Sequence, residues 1–260
     1  MQKLGFIGLG NMGRAIASGL IAGGAIAPEN VCGYAPNWEK LSAYAAEAGI
    51  RACRSAAEVV ESADTVVLAV KPYVIEGVLR ELRGALIGKA VVSVALGWDY
   101  ARLRPILDES TRIQFVMPNT PALVGAGVML FEQTNSLTPD ERADLMRKFA
   151  ALGAVEELPS YLMGIGGAVS GCGPAFCAMV IEALADAGVK YGLPRATAYR
   201  LASQTVAGTG RMQIETGQHP GAIKDGVCSP GGTTIRGVEA LERAGLRAAM
   251  LDAVQATMER

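Results

Sequence analysis

The apolar run Leu4-Gly5-Phe6-Ile7 leads directly into Gly8-Leu9-Gly10-Asn11-Met12-Gly13, which opens a stretch of helical spacing reaching Gly23. A G-x-G-x-x-G string between a strand and a helix leaves few folds open. The first glycine permits a tight turn, the second lets a pyrophosphate approach the backbone, and the third lets helix and strand pack closely. The helix start then offers unpaired N–H groups and a positive dipole end to phosphate. Gly8, Gly10, Asn11, Met12 and Gly13 are therefore the first candidate cofactor-binding residues.

Downstream, short β-branched runs alternate with helical segments. Strands are expected near 30–34, 51–53, 65–70, 90–95, 112–116, 128–131 and 154–157, and helices over 39–48, 55–62, 74–82, 100–107 and 138–152. Ser55-Ala56-Ala57-Glu58 has the spacing of a capping box. Thr65 to Val70 is apolar enough to be buried on both faces of a parallel sheet. This alternation predicts an α/β fold with a doubly wound sheet. After Pro159 the strand-like runs vanish, and helices are expected over 160–170, 174–191, 195–216, 233–243 and 246–259. The predicted domains are 1–158, the dinucleotide-binding unit, and 159–260, all helical.

Composition removes several chemistries. The 24 Lys and Arg nearly cancel the 25 Asp and Glu, without a basic cluster, which argues against a nucleic-acid partner. One histidine and five cysteines with no C-x-x-C pair make a metal site or a Ser-His-Asp triad hard to assemble, so no metal is expected. Those cysteines, Cys32, Cys53, Cys172, Cys177 and Cys228, suit free thiols in the cytoplasm. No signal peptide is read in Met1 to Gly8. No charged residue occurs from Leu158 to Ile181, a length that could span a bilayer. Gly171, Gly173 and Pro174 would break a helix there and leave backbone groups unpaired in lipid. The stretch is read as a buried helix or a subunit interface, with no membrane partner.

A site for NAD usually places an acid about 20 residues beyond the glycine turn, on the ribose hydroxyls. That place reads Tyr34-Ala35-Pro36-Asn37-Trp38, with no acid between Glu29 and Glu39. Nothing there would repel a 2′-phosphate, which favours NADPH. NADH stays the alternative, because no arginine stands directly at the turn. Ala69-Val70-Lys71-Pro72 and Met117-Pro118-Asn119-Thr120-Pro121 follow two further strands and fall on the ligand side of an open α/β sheet. Lys71 could pair with phosphate or ribose there, or be a solvated loop lysine; the prolines around Asn119 could simply shape a loop.

A second constellation, Lys224-Asp225-Gly226-Val227-Cys228-Ser229-Pro230-Gly231-Gly232-Thr233-Thr234, precedes a helix. Bare N–H groups at Gly231, Gly232 and Thr233, with hydroxyls at Ser229, Thr233 and Thr234, suit a small carboxylate. An ordinary N-cap would need only one hydroxyl. The block lacks the tuned base an alcohol dehydrogenase needs. An iminium is already activated, so a neutral donor beside its nitrogen suffices. Lys224 and Asp225 are read as a local ion pair, and His219 as an exposed turn residue without chemistry.

The glycine turn with Asn11-Met12, the Ala69 to Pro72 segment, Met117 to Pro121, Ser170-Gly171-Cys172-Gly173-Pro174-Ala175-Phe176 and the Lys224 to Thr234 block together resemble pyrroline-5-carboxylate reductase. The resemblance covers essentially the whole chain, and its last block is the most specific. It implies NAD(P)H-dependent reduction of the cyclic imine 1-pyrroline-5-carboxylate to L-proline, the final step of proline synthesis. It also implies an N-terminal Rossmann domain and a helical C-terminal dimerisation domain, in a dimer or ring of dimers. By position, Gly8 to Gly13 would hold the pyrophosphate, Ala69, Lys71 and Pro72 would line the cofactor, and Asn119 would lie near the nicotinamide side. Ser229, Gly231, Gly232 and Thr233 would grip the substrate carboxylate, and Thr234 would bond the ring nitrogen as proton donor or relay. Two departures stand out: the family usually has serine at Cys172 and tyrosine at Phe176. The alternatives are another NADP-dependent imine reductase or small-acid dehydrogenase, or a protein that binds NADPH without turnover.

Overall fold

The computed structural model describes residues 3–259. Met1 and Gln2, in the segment read as lacking a signal peptide, and Arg260 lie outside them. The chain divides into two compact units, Met1–Gly171 and Cys172–Arg260.

The first unit is built from β1 (Leu4–Ile7), α1 (Asn11–Ala22), β2 (Val31–Tyr34), α2 (Trp38–Ala48), β3 (Arg51–Ala52), α3 (Ala56–Ser62), β4 (Thr65–Leu68), α4 (Pro72–Leu82), β5 (Ala90–Ser93), α5 (Tyr100–Leu103), β6 (Arg112–Pro118), β7 (Gly127–Glu132), α6 (Pro139–Phe149), β8 (Gly153–Leu158) and α7 (Met163–Gly167). The strands form one sheet in the order β3-β2-β1-β4-β5-β6-β7-β8. Every pair is parallel except β6 with β7. The strand order reverses between β1 and β4, so the crevice that receives ligands in open α/β sheets opens beyond their carboxyl ends.

Alternation along the strands separates two cores. Leu4, Phe6, Val31, Val67 and Val92 face α1, α2 and α6, where Ile16, Leu20, Leu41 and Phe149 close the layer. Ile7, Cys32, Val66, Leu68 and Val91 face α3 and α4, against Val59, Val60, Ile75 and Leu79. Helices thus cover both faces, as the fully buried β4 requires. All five cysteines are free. Burial, reinforced by its neighbour Cys53, pushes the Cys32 thiol up to about 12, so it is unreactive near neutrality.

The sequence places a domain limit at Leu158–Pro159, whereas the compact unit runs on to Gly171. The reason is close packing of α7 onto β6, β7 and β8. Met163 is buried with Phe115 and Leu130. A Cβ at Gly166 would come within 2.5 Å of Leu158 Cδ1, and one at Gly167 within 2.3 Å of Met117 Sδ.

The expected break at Gly171-Gly173-Pro174 is not a break. The chain passes through a π-helical turn, Ala168–Cys172, directly into α8 (Gly173–Lys190). A π turn inserts one residue into the helical ladder, which accommodates a proline without ending the helix. Ser160–Lys190 is long and apolar enough to cross a membrane by length and composition. It is not the buried helix that was one reading of this stretch: of its residues only Met163, Ala168 and Ala185 are buried.

The second unit continues with α9 (Arg195–Thr216), α10 (Pro220–Val227), α11 (Thr233–Arg243) and α12 (Leu246–Met258). α8 and α9 meet through small residues, Ala185, Ala198 and Ala202, with Gly188 alongside. Those alanines and Ile223 are its only buried side chains among the described residues. Met179, Leu184, Leu201, Ile214 and Leu251 stand exposed.

The starts of α2, α3, α5 and α6 are tied by side chains. Ser55 caps α3 by accepting from the Glu58 N–H at 3.1 Å. The Glu58 carboxylate does not return to Ser55 as a full capping box would; it takes the Arg54 N–H at 2.7 Å and the Arg51 guanidinium at 2.6 Å. The complete box lies at α6, where Thr138 and Glu141 exchange both bonds. Glu141 also accepts from Arg112 of β6 at 2.8 Å, joining helix to sheet. Thr138→Ala should cost about 1 kcal/mol. Glu141→Ala should cost about 2–3 kcal/mol, because it also strips the half-buried Arg112 of its carboxylate. Urea unfolding of the two variants checks the order; equal losses would mean that the Arg112 pair contributes nothing.

Candidate active site

The glycine turn sits at the switch point and is held there by backbone contacts. Gly8 has φ +101, and its N–H donates to Tyr34 O at 2.9 Å. A Cβ on Gly8 would lie 2.7 Å from the backbone of Ala69 and Val70. One on Gly13 would lie 2.2 Å from Gly8 O and 3.3 Å from the Ala69 methyl. Gly8, Gly13 and Ala69 therefore form one packed junction between β1, α1 and the exit of β4. Gly10 differs, because a Cβ there would meet nothing within 4 Å. The protein's own packing does not ask for glycine at that point; the open space lies over the start of α1. Gly10 caps α1 without a side-chain bond, and the N–H groups of Asn11, Met12 and Gly13 meet no protein acceptor among the described residues. Such a cradle fits a pyrophosphate.

Beside it, Ala69 continues β4 by donating its N–H to Ile7 O at 2.9 Å. Lys71 caps α4, Pro72 takes the first helical position, and the Lys71 side chain is exposed. The Pro72 carbonyl accepts from the buried Trp98 indole at 2.8 Å, which fixes the segment from below. Sequence reasoning passed over Trp98. Its signal was an indole in a Gly-Trp-Asp loop after a buried strand, where it needs an acceptor.

Asn119 follows β6 and is buried. Its Oδ1 accepts from Val128 N–H at 2.8 Å and its Nδ2 donates to Ser170 O at 2.9 Å. Ser170 stands four residues before Pro174, which has no N–H for that carbonyl. The amide of Asn119 thus braces the 119–128 loop and the π turn that holds Ser170. Cys172, one of the two departures, ends that turn, and Phe176, the other, lies in the first turns of α8.

In the second unit, Gly232 caps α11 with no side-chain bond and Gly231 has φ +70. The Gly232 N–H is not bare as the sequence suggested: it donates to Ser229 O at 3.0 Å and closes the turn. The N–H groups of Gly231, Thr233 and Thr234, and the hydroxyls of Ser229, Thr233 and Thr234, meet no protein partner among the described residues. Lys224 and Asp225 form the expected ion pair with each other. His219, assigned no chemistry, caps α10 by accepting the Gly221 N–H on Nδ1 at 3.1 Å.

A dinucleotide cradle at the switch point of a mostly parallel sheet, followed by a helical unit, defines a Rossmann-type oxidoreductase. Residues 3–97 match the family model described as NADP oxidoreductase coenzyme F420-dependent, and residues 161–260 match that described as Pyrroline-5-carboxylate reductase dimerisation. The chain belongs to the pyrroline-5-carboxylate reductase family: it is 44% identical to the Escherichia coli pyrroline-5-carboxylate reductase over 100% of this chain and 97% of that protein. Among solved structures, the Coxiella burnetii pyrroline-5-carboxylate reductase aligns at 34% identity with a TM-score of 0.91, covering 99% of this chain and 96% of that one. The Plasmodium falciparum pyrroline carboxylate reductase, solved with NADP bound, aligns at 33% with a TM-score of 0.88, covering 98% and 95%.

Asn119→Ala should leave Val128 N–H and Ser170 O without partners and lower stability by about 2–4 kcal/mol. Urea unfolding followed by circular dichroism measures this, and an unmoved midpoint would mean that the brace is dispensable.

Proposed function

We infer that this chain is an NAD(P)H-dependent pyrroline-5-carboxylate reductase, which reduces the C=N bond of 1-pyrroline-5-carboxylate to L-proline in the last step of proline synthesis. The observation that carries the substrate side is the entrance to α11, where three hydroxyls and three backbone N–H groups lie within six residues without protein partners among the described residues. Ser229, Gly231, Gly232 and Thr233 hold the substrate carboxylate there. The dipole end of α11 favours that charge, and Gly232 contributes by closing the turn. Thr234 donates its Oγ1 hydrogen to the ring nitrogen, as proton donor or relay. No imidazole is needed, because an imine nitrogen can already carry its proton.

On the cofactor side, Gly8, Gly10, Asn11, Met12 and Gly13 seat the pyrophosphate, and Ala69, Lys71 and Pro72 line the cofactor beyond it. Asn119 serves the nicotinamide side by holding its loop, since its amide is already engaged at both ends. NADPH, when bound, supplies the hydride. It is favoured over NADH by the absence of an acid between Glu29 and Glu39. The domains proposed for these roles are 1–158 for cofactor and 159–260 for substrate and self-association. A unit whose largest buried side chain is Ile223 needs a partner surface to complete its core, and a second copy of this chain provides one. Five free cysteines fit a cytoplasmic setting.

Mixing the protein with NADPH and 1-pyrroline-5-carboxylate should deplete NADPH absorbance and form proline, while hydroxy and keto acids leave it unchanged. Absence of turnover with the imine in folded protein would overturn the reading. Thr234→Ala should lower kcat by about ten- to a thousandfold, and Thr234→Ser should recover most of it. A full kcat in the alanine variant would remove Thr234 from proton transfer.

A further inference from the structure

The carboxyl ends of β1, β2 and β3 stand side by side. β2 pairs with β1 through Ile7↔Tyr34, and with β3 through Cys32↔Arg51 and Gly33↔Ala52. The Cys53 N–H extends that ladder to Gly33 O at 2.9 Å. Arg54 is therefore the first residue to leave the sheet beside the end of β2, although it lies far along the sequence from Tyr34. Its guanidinium stacks on Trp38, with Cζ 3.3 Å from the ring centroid. Trp38 opens α2 and packs against the core below, so it is an anchored platform.

What distinguishes Arg54 is that its guanidinium is held but makes no hydrogen bond among the described residues, its charge reaching Glu58 only through space. Its backbone N–H is tied to Glu58 at 2.7 Å, and that carboxylate is already paired with Arg51 at 2.6 Å. Among the described residues the Arg54 guanidinium has no hydrogen-bond acceptor and no ion pair. Arg14, the other arginine at this end of the sheet, is committed: it donates to Leu9 O and Lys40 O and stacks on Tyr44. Asn37, next to Trp38, spends its Oδ1 on the Lys40 N–H at 2.9 Å, and its Nδ2 donates to nothing among the described residues. A free, stacked guanidinium and a free amide thus flank the place where a dinucleotide fold for NAD would carry an acid.

Resting on the cofactor reading above, we propose that Arg54, held flat on Trp38 and assisted by Asn37 Nδ2, is the residue that recognises the 2′-phosphate and sets the preference for NADPH over NADH. Stacking leaves the edge of the guanidinium plane open, and that edge presents paired N–H donors matching two phosphate oxygens. A hydroxyl at the same ribose position offers neither the charge nor the second acceptor.

The test compares binding of 2′,5′-ADP and 5′-AMP by calorimetry, which needs no turnover. The wild type should bind 2′,5′-ADP more tightly by about ten- to a hundredfold, the range of a charge-assisted contact. Arg54→Ala should bring that ratio to within about twofold by weakening 2′,5′-ADP alone, and Arg54→Lys should fall between, because it keeps the charge but loses the fork. Arg54 is exposed, so its replacement spares the fold. An unchanged ratio in Arg54→Ala, or a wild type that does not distinguish the two nucleotides, overturns the proposal. In either case, imine reduction with NADH or NADPH would leave the reductase reading standing. A wild type that binds neither nucleotide nor either cofactor overturns both.

Discussion

Three backbone segments meet at van der Waals distance where β1 turns into α1. Gly8, Gly13 and the Ala69–Val70 exit of β4 are so close that a methyl group on either glycine would strike main-chain atoms. Main chain cannot rotate away as a side chain can, so this junction sets how near α1 lies to the sheet and where its first N–H groups point. The position of β2 follows through the Gly8 N–H bond to Tyr34 O, and that of Pro72 through the short stretch after Ala69. Gly10 is the exception in the motif: open space around it belongs to a ligand and not to the fold.

The features that the sequence displayed well were those with a local cause. Strand β4 was legible because the five residues Val66 to Val70 are apolar, and α1 because glycines and helical spacing coincide. Strands nonetheless end earlier than expected at Leu68 and Ser93, each followed by a single further ladder bond, from Ala69 N–H to Ile7 O and from Val94 N–H to Leu68 O. What was illegible depended on residues distant in the chain. The Asn119 amide finds Ser170, and Arg54 finds Trp38, only after the sheet has formed. The glycines and proline at 171–174 predicted a break because their local propensity is against helix; a π turn met the same demand without one. No arginine stands next to Tyr34 in sequence; pairing of β2 with β3 brings the segment that leads into Arg54 alongside the end of β2.

The candidate substrate block shows a similar division. Its glycines and hydroxyls were conspicuous in the sequence, and the structure leaves the hydroxyls unspent. Which N–H groups remain open was not readable, because the Gly232 to Ser229 turn depends on the left-handed conformation at Gly231. Small residues elsewhere in that unit reflect packing alone: Ala185, Ala198 and Ala202 let α8 and α9 come close.

That economy of side chains has a thermodynamic consequence. A helical unit whose buried side chains, among the described residues, are three alanines and one isoleucine gains little hydrophobic free energy by folding alone. Its stability must come largely from surface covered between copies, so folding and assembly of this part become a single equilibrium with protein concentration as a variable. Cellular abundance then acts on the enzyme twice, through the number of chains and through the fraction of them that hold their shape.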